Sequence, residues 1–169
     1  MKKTIAITIL SIFVSLAGFT QIKIKTTQAD ITLPAEVTKN PVSYSRTANS
    51  DGTVSIPKGD YQYDNHNFSL TYTSMKQNKL FLSDKKTGIE NRRKRYFPNN
   101  SYSQTTISKI NGINTLVSRA EGGEKNYYFF YAVNDNYTYT VCGMLEFPKG
   151  DETTAKEHII EILKGIKML

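Results

Sequence analysis

The dipeptide Asn111-Gly112, set between Thr105-Thr106-Ile107-Ser108-Lys109-Ile110 and Ile113-Asn114-Thr115-Leu116-Val117-Ser118, constrains this chain more than any other feature. Asn-Gly accepts the positive φ angles of a type I′ turn, and the twist of that turn matches two paired strands. A hairpin is therefore expected over residues 105–118. Two further strand signals follow at once, Asn126 to Val133 (NYYFFYAV) and Tyr137 to Phe147 (YTYTVCGMLEF), separated by the short polar breaks Glu121 to Glu124 and Asn134 to Asn136. Tyr127, Phe129, Tyr131 and Val133 share one face of the first, and Tyr128, Phe130 and Ala132 share the other. A strand with two large apolar faces sits centrally, covered on both sides or strongly curved. The short turns make these four strands an antiparallel meander.

Upstream, Phe68-Ser69-Leu70-Thr71-Tyr72-Thr73 alternates apolar and hydroxyl residues, again at strand period, and Leu80-Phe81-Leu82 is a second, shorter strand candidate. Downstream, Asp151 to Leu169 repeats Ala155, Ile159, Ile162, Leu163 and Ile166 at helical spacing. Thr154 and Glu157 can form a capping box, and Lys164 and Lys167 suit the negative end of the helix dipole. The sequence thus predicts an α+β domain over residues 60–169: an antiparallel β-meander sheet of five to six strands covered by a C-terminal α-helix. Residues 21–59 hold Pro34, Pro41, Pro57 and the turn-forming run Ala48 to Gly52, with isolated apolar residues. They read as a polar, loosely attached arm, with Val54-Ser55-Ile56 as an edge pairing ended by Pro57.

Met1-Lys2-Lys3 followed by the thirteen-residue apolar run Ile5 to Ala17 reads as a signal peptide over residues 1–20, with an uncleaved anchor as the competing reading. The run is shorter than the ~20 apolar residues a bilayer span requires. The expected location is therefore outside the cytoplasm, periplasmic or secreted. Lys2 and Lys3 supply two units of the formal charge of +7. Most of the remaining excess comes from Asp84 to Arg95, where Lys85, Lys86, Arg92, Arg93, Lys94 and Arg95 face only Asp84 and Glu90.

That basic run ends in aromatics, Arg92-Arg93-Lys94-Arg95-Tyr96-Phe97. Cations beside aromatic rings can track phosphates and stack bases. Against nucleic acid stand the expected export and the lack of a second basic stripe to extend a groove. A short helix over 89–97, with Ile89, Tyr96 and Phe97 on the sheet and Arg92 and Arg95 in water, is the structural reading. The functional one is docking to an anionic surface, such as lipid headgroups or a charged envelope polymer.

Catalytic signals are weak. His66 lies in the turn-like Asp64-Asn65-His66-Asn67-Phe68, and His158 flanks the apolar stripe of the final helix, where a hydrogen-bonded boundary histidine is the plainer reading. Cys142 sits in a strand-like run with no basic neighbour in the local sequence to lower its pKa, which reads as a buried structural thiol. No phosphate-binding loop, dinucleotide fingerprint, nucleophile elbow or metal-ligand spacing occurs. No enzyme, no metal and no cofactor is expected.

The hairpin opening at Ile110-Asn111-Gly112-Ile113, the aromatic strand NYYFFYAV, the strand YTYTVCGMLEF, the Pro148-Lys149-Gly150-Asp151 break and the ending Ile162-Leu163-Lys164-Gly165-Ile166-Lys167 together resemble the PsbP/Mog1-like α/β sandwich proteins. The resemblance covers roughly the last hundred residues. Gly165 stands where those proteins usually carry Ser, and the chain has no tryptophan. The resemblance implies a non-catalytic accessory or binding module that attaches through its surface to a protein or envelope component. It carries over no site residue. A carrier of a small apolar ligand in a cup of sheet and helix is the first alternative, and a hydrolase with an unrecognised site the second.

Overall fold

The structure is a computed structural model that describes residues 21–40, 60–96, 104–122 and 124–169. The expected signal peptide, the Val54-Ser55-Ile56 pairing and Phe97 lie outside the described residues. In chain order the elements are β1 (Lys23–Lys25), β2 (Ala29–Thr32), β3 (Thr38–Lys39), β4 (Tyr61–Tyr63), β5 (His66–Thr73) and α1 (Phe81–Tyr96). Then come β6 (Thr105–Ile110), β7 (Ile113–Glu121), β8 (Lys125–Val133), β9 (Thr140–Pro148), α2 (Glu152–Lys164) and β10 (Ile166–Met168).

The Asn-Gly signal is realised as expected. Asn111 and Gly112 have φ of 50° and 78°, and β6 and β7 pair from Ile110↔Ile113 outward to Thr105↔Ser118. β7, β8 and β9 continue the meander, with Leu116 opposite Tyr131 and Phe130 opposite Gly143. β5 then pairs with the far side of β9 from Asn67 to Thr73, and β4 and β3 extend that edge. The result is one antiparallel sheet of seven strands, in the order β3-β4-β5-β9-β8-β7-β6. It exceeds the expected five to six because β3 and β4 are two- and three-residue strands, too short to show a period.

α2 covers one face of this sheet. Its buried Ala155, Ile159, Ile162 and Leu163 join Phe68, Phe130, Val141, Leu145 and Phe147 in the main core. Fully burying a side chain of this size contributes about 1.5–3 kcal/mol, so these few positions dominate the packing energy. The helix begins three residues earlier than the capping-box pattern suggests. Asp151 is its N-cap residue and Thr154 lies inside the first turn, because the tight Pro148 to Asp151 turn, with Gly150 at φ 93°, delivers the chain directly into helix.

Residues 21–40 correct the expectation of a loose arm. β2 pairs with β1 on one side and with β10 on the other, forming a second, three-stranded sheet. Ala29, Ile31 and Leu33 are fully or almost fully buried in the same core as α2, and Val37 joins them. Their spacing of two residues is strand period, carried by too few residues to stand out among polar neighbours.

Leu80-Phe81-Leu82 is not a strand. Phe81 and Leu82 open α1, which lies on the opposite face of the large sheet and packs Phe81, Leu82 and Ile89 against Leu116, Tyr131, Val133 and Tyr137. The expected helix over 89–97 is thus the second half of a sixteen-residue helix. The two faces of β8 meet different helices, Tyr128 and Phe130 in the core beneath α2 and Tyr131 and Val133 against α1, which is why aromatic residues stand at successive positions. Among the described residues no helix is long and apolar enough to cross a membrane.

Candidate functional site

The two histidines, ninety-two residues apart in sequence, meet in the core. β4 and β5 form a hairpin in which Tyr63 pairs with His66 around the turn residues Asp64 and Asn65, with Asp64 at φ 52°. His66 is therefore the first residue of β5, on the same face as Phe68, and it points under α2. On α2, Asp151 and His158 stand seven residues apart, two helical turns, and so on one side of the helix. They bracket His66 from above.

His66 Nδ1 lies 2.9 Å from His158 Nδ1, and His66 Nε2 lies 2.8 Å from Asp151 Oδ2. His158 Nε2 in turn faces Asp64 Oδ2 at 3.2 Å. Four side chains form a single line, Asp151–His66–His158–Asp64. The Tyr63 ring stacks on His158 with centroids 3.6 Å apart and planes 8° apart, and its hydroxyl donates to Glu161 Oε2. The Phe147 ring meets His66 edge-on.

Burial decides what this line can do. His66 is 0 % exposed and His158 6 %, while the outer carboxylates reach water, Asp151 with a side chain 29 % exposed and Asp64 60 %. Solutes can approach the ends of the line but not the imidazoles, which places proton binding within its reach and direct attack on a substrate outside it. Burial lowers the pKa of His158 first, and His66 lowers it further, against the opposing pull of Asp64, Glu161 and Asp151. Hydrogen bonds from Thr154 and His66 hold the Asp151 carboxyl below its usual range. Burial, then the bond to Glu161, raises the Tyr63 phenol, so it stays neutral at physiological pH.

The basic run forms the last turns of α1. Arg92, Lys94 and Arg95 are exposed and Arg93 is half-buried, while Tyr96 is the last residue of the helix. Arg93, Lys94 and Arg95 oppose the negative end of the helix dipole, as Asp84 does the positive end. Lys85, two turns before Arg92 and on the side of Phe81, lies 5.5 Å from the centroids of both Phe81 and Tyr131. Cys142 pairs with Tyr131 across the sheet, and burial raises its pKa, so the thiol stays protonated at neutral pH.

A cavity of about 310 Å³ opens between α2 and the β6–β7 edge, lined by Ile110, Val117, Tyr128, Ile159 and Ile160 together with Thr106, Ser108 and Lys156. Among the described residues no group of three or more His, Cys, Asp or Glu side chains could hold a metal ion.

The sequence reading missed the partners of both histidines. Asp64 and Asp151 are each within a turn, and no period links either to a ring more than eighty residues away. The seven-residue spacing of Asp151 and His158 was the one legible trace.

No protein-family model matches the chain, and no curated protein matches its sequence. Solved structures do. The solution structure of cyanobacterial PsbP from Synechocystis sp. PCC 6803 superposes with a TM-score of 0.51 at 11 % identity, over 92 % of this chain and 96 % of that one. A crystal structure of a Bacteroides thetaiotaomicron VPI-5482 protein gives a TM-score of 0.45 at 11 % identity, over 83 % of this chain and 45 % of the other. The likeness to PsbP extends well beyond the C-terminal hundred residues that carry the sequence resemblance, and at this identity it concerns architecture alone. The chain has a PsbP-like fold.

Proposed function

We propose that this protein is an exported, non-catalytic accessory module that attaches through its surface to a larger envelope assembly. The observation that carries the reading is the PsbP-like fold along nearly the whole chain. The burial of both imidazoles supports it, since the groups best suited to acid–base chemistry are folded away from substrates. The attachment surface is the end of α1, where Arg92, Arg93, Lys94 and Arg95 concentrate positive charge, followed in sequence by Tyr96 and Phe97, and its counterpart is anionic. Each basic residue near an anionic surface contributes up to ~1 kcal/mol.

Two measurements test this. Fractionation of cells producing the tagged full chain places the protein outside the cytoplasm in shortened form, whereas a full-length cytoplasmic product refutes export. Native electrophoresis of envelope extracts finds the protein in a complex larger than itself, and that complex is lost when Arg92, Arg93, Lys94 and Arg95 are replaced by Gln. Migration as a free monomer in both cases refutes the accessory role.

The cavity beneath α2 favours a second reading, carriage of a small ligand. At about 310 Å³ it lies at the lower end of the ~300–1,000 Å³ range of small-molecule sites. Its apolar lining is interrupted by Gln104, Thr106, Ser108, Arg119 and Lys156, which suits a short amphipathic molecule better than a lipid chain. Retention of a bound small molecule in native mass spectrometry of the purified protein separates this reading from the first.

A further inference from the structure

The line Asp151–His66–His158–Asp64 contains a proton count that its geometry fixes. An ionised carboxylate only accepts hydrogen bonds, so a nitrogen held against it carries N–H. His66 Nε2 faces Asp151 at 2.8 Å and His158 Nε2 faces Asp64 at 3.2 Å, so both Nε2 atoms donate outward. That leaves the two Nδ1 atoms facing each other at 2.9 Å, a hydrogen-bond distance that needs one proton between two lone pairs. Two rings then carry three N–H protons, one more than two neutral imidazoles hold. The pair is a single cation flanked by two anions.

We propose that His66 and His158 together form a binding site for one proton, shared between their Nδ1 atoms, and that this proton latches the β4–β5 turn onto α2 through Asp64. When the proton leaves to water, one ring keeps an N–H at Nδ1 and donates it to the other, and one Nε2 must lose its proton. Asp151 is the better held partner. It occupies the N-cap position of α2, is also bonded to Thr154, and is half as exposed as Asp64. His66 therefore keeps Nε2–H, His158 donates through Nδ1, and His158 Nε2 is left as a bare lone pair opposite the Asp64 carboxylate. Two lone-pair groups repel. Asp64, exposed on a two-residue turn, swings into water and the hairpin turn detaches.

The other groups around the pair set the background to this switch without replacing it. Glu161 on α2 is bonded to the Tyr63 hydroxyl on β4, and its charge favours the protonated pair. Phe147 on β9 and the Tyr63 ring are neutral and exclude water. A second proton, making two imidazoliums in contact, is opposed by burial and by the first charge. The site thus holds one proton and resists two.

Nitrogen NMR of the full chain, labelled at histidine and titrated from about pH 4 to about pH 9, reads the count directly. The expected result is one step taken by both rings together. On its acid side both Nε2 atoms carry N–H and both Nδ1 atoms show the shift of a half-protonated nitrogen. Two imidazoles that titrate independently, or the absence of any step, overturn the proposal. Asp64→Asn is the variant that keeps the fold, because Asn tolerates the positive φ at this position. Its amide can donate to the bare His158 Nε2, so the step moves down by about one pH unit. An unmoved step overturns the role of Asp64. Amide exchange at Asn65 and His66, corrected for its intrinsic pH dependence, speeds up across the step in the native chain and not in Asp64→Asn. Equal protection on both sides of the step overturns the latch.

Discussion

Gly165 joins α2 to β10 and has an ordinary right-handed φ of −77°, so its glycine is not a matter of backbone conformation. It is a matter of space. A Cβ built there would stand 1.9 Å from the Thr32 carbonyl oxygen, against an ordinary contact of 3.4–4 Å. The obstacle is backbone, and it belongs to the strand that pairs with β10. Gly165→Ala therefore forces β2 and the helix end apart by roughly 1.5 Å. The bond from Thr32 N–H to the Gly165 carbonyl, 2.8 Å long, is stretched or lost, at a cost of about 1 kcal/mol. Ile31 and Ile166, both almost fully buried and paired in register, lose part of their packing for another ~1–2 kcal/mol. The expected loss is about 2–3 kcal/mol, or roughly 4–12 °C in melting temperature for a domain of this size. Urea unfolding followed by circular dichroism measures it. A variant within about 0.5 kcal/mol of the native protein, with unchanged exchange protection at Ile31 and Ile166, would refute the close approach.

Replacing Arg92, Arg93, Lys94 and Arg95 together by Gln changes stability by about 1 kcal/mol or less, since three of the four are exposed and exposed charges contribute little. It abolishes salt-sensitive sedimentation with anionic vesicles, and equal sedimentation of both proteins removes the docking role. Ile159→Ala, at a position 1 % exposed in the main core, costs about 2–5 kcal/mol by chemical denaturation. Ile160→Trp, at the half-buried rim of the cavity, costs less than that and fills the space, so any small molecule retained by the native protein is lost. Because the folded pair resists a second proton, as the lowered pKa of His158 reflects, stability falls with acidification once the shared proton is bound. Below roughly pH 6.5 the unfolded chain protonates both imidazoles while the folded pair holds one proton, so unfolded molecules bind more protons and the urea midpoint drops. A midpoint that stays level between about pH 7.5 and about pH 5.5 contradicts this. The contribution of Asp151, also depressed, is lost only at lower pH, as the pH falls below the ordinary carboxylate range.

The parts of the fold legible in the sequence were those whose signals are local. Asn111-Gly112 dictates its own turn, NYYFFYAV leaves no polar face to give to water, and the stripe from Ala155 to Leu163 belongs to a helix long enough to show its period. β2 was illegible because Ala29, Ile31 and Leu33 are buried by α2 and by β10, elements more than a hundred residues away. α1 was half legible. Its apolar contacts come down to Phe81, Leu82 and Ile89, and the adjacent Leu80-Phe81-Leu82 imitates a strand. The histidine line was hidden for a different reason. β5 starts two residues before its visible period, so His66 is an inward-facing strand residue where the polar run Asp64-Asn65-His66-Asn67 suggests a surface loop. Its energetics come from four groups on a hairpin and a helix that only tertiary structure aligns.

The register of β10 against β2 stitches residues 166–168 to residues 29–31. Without the segment after α2, β2 has β1 alone as a ladder neighbour, so a strand near the start of the described residues depends for its second edge on residues more than a hundred positions away.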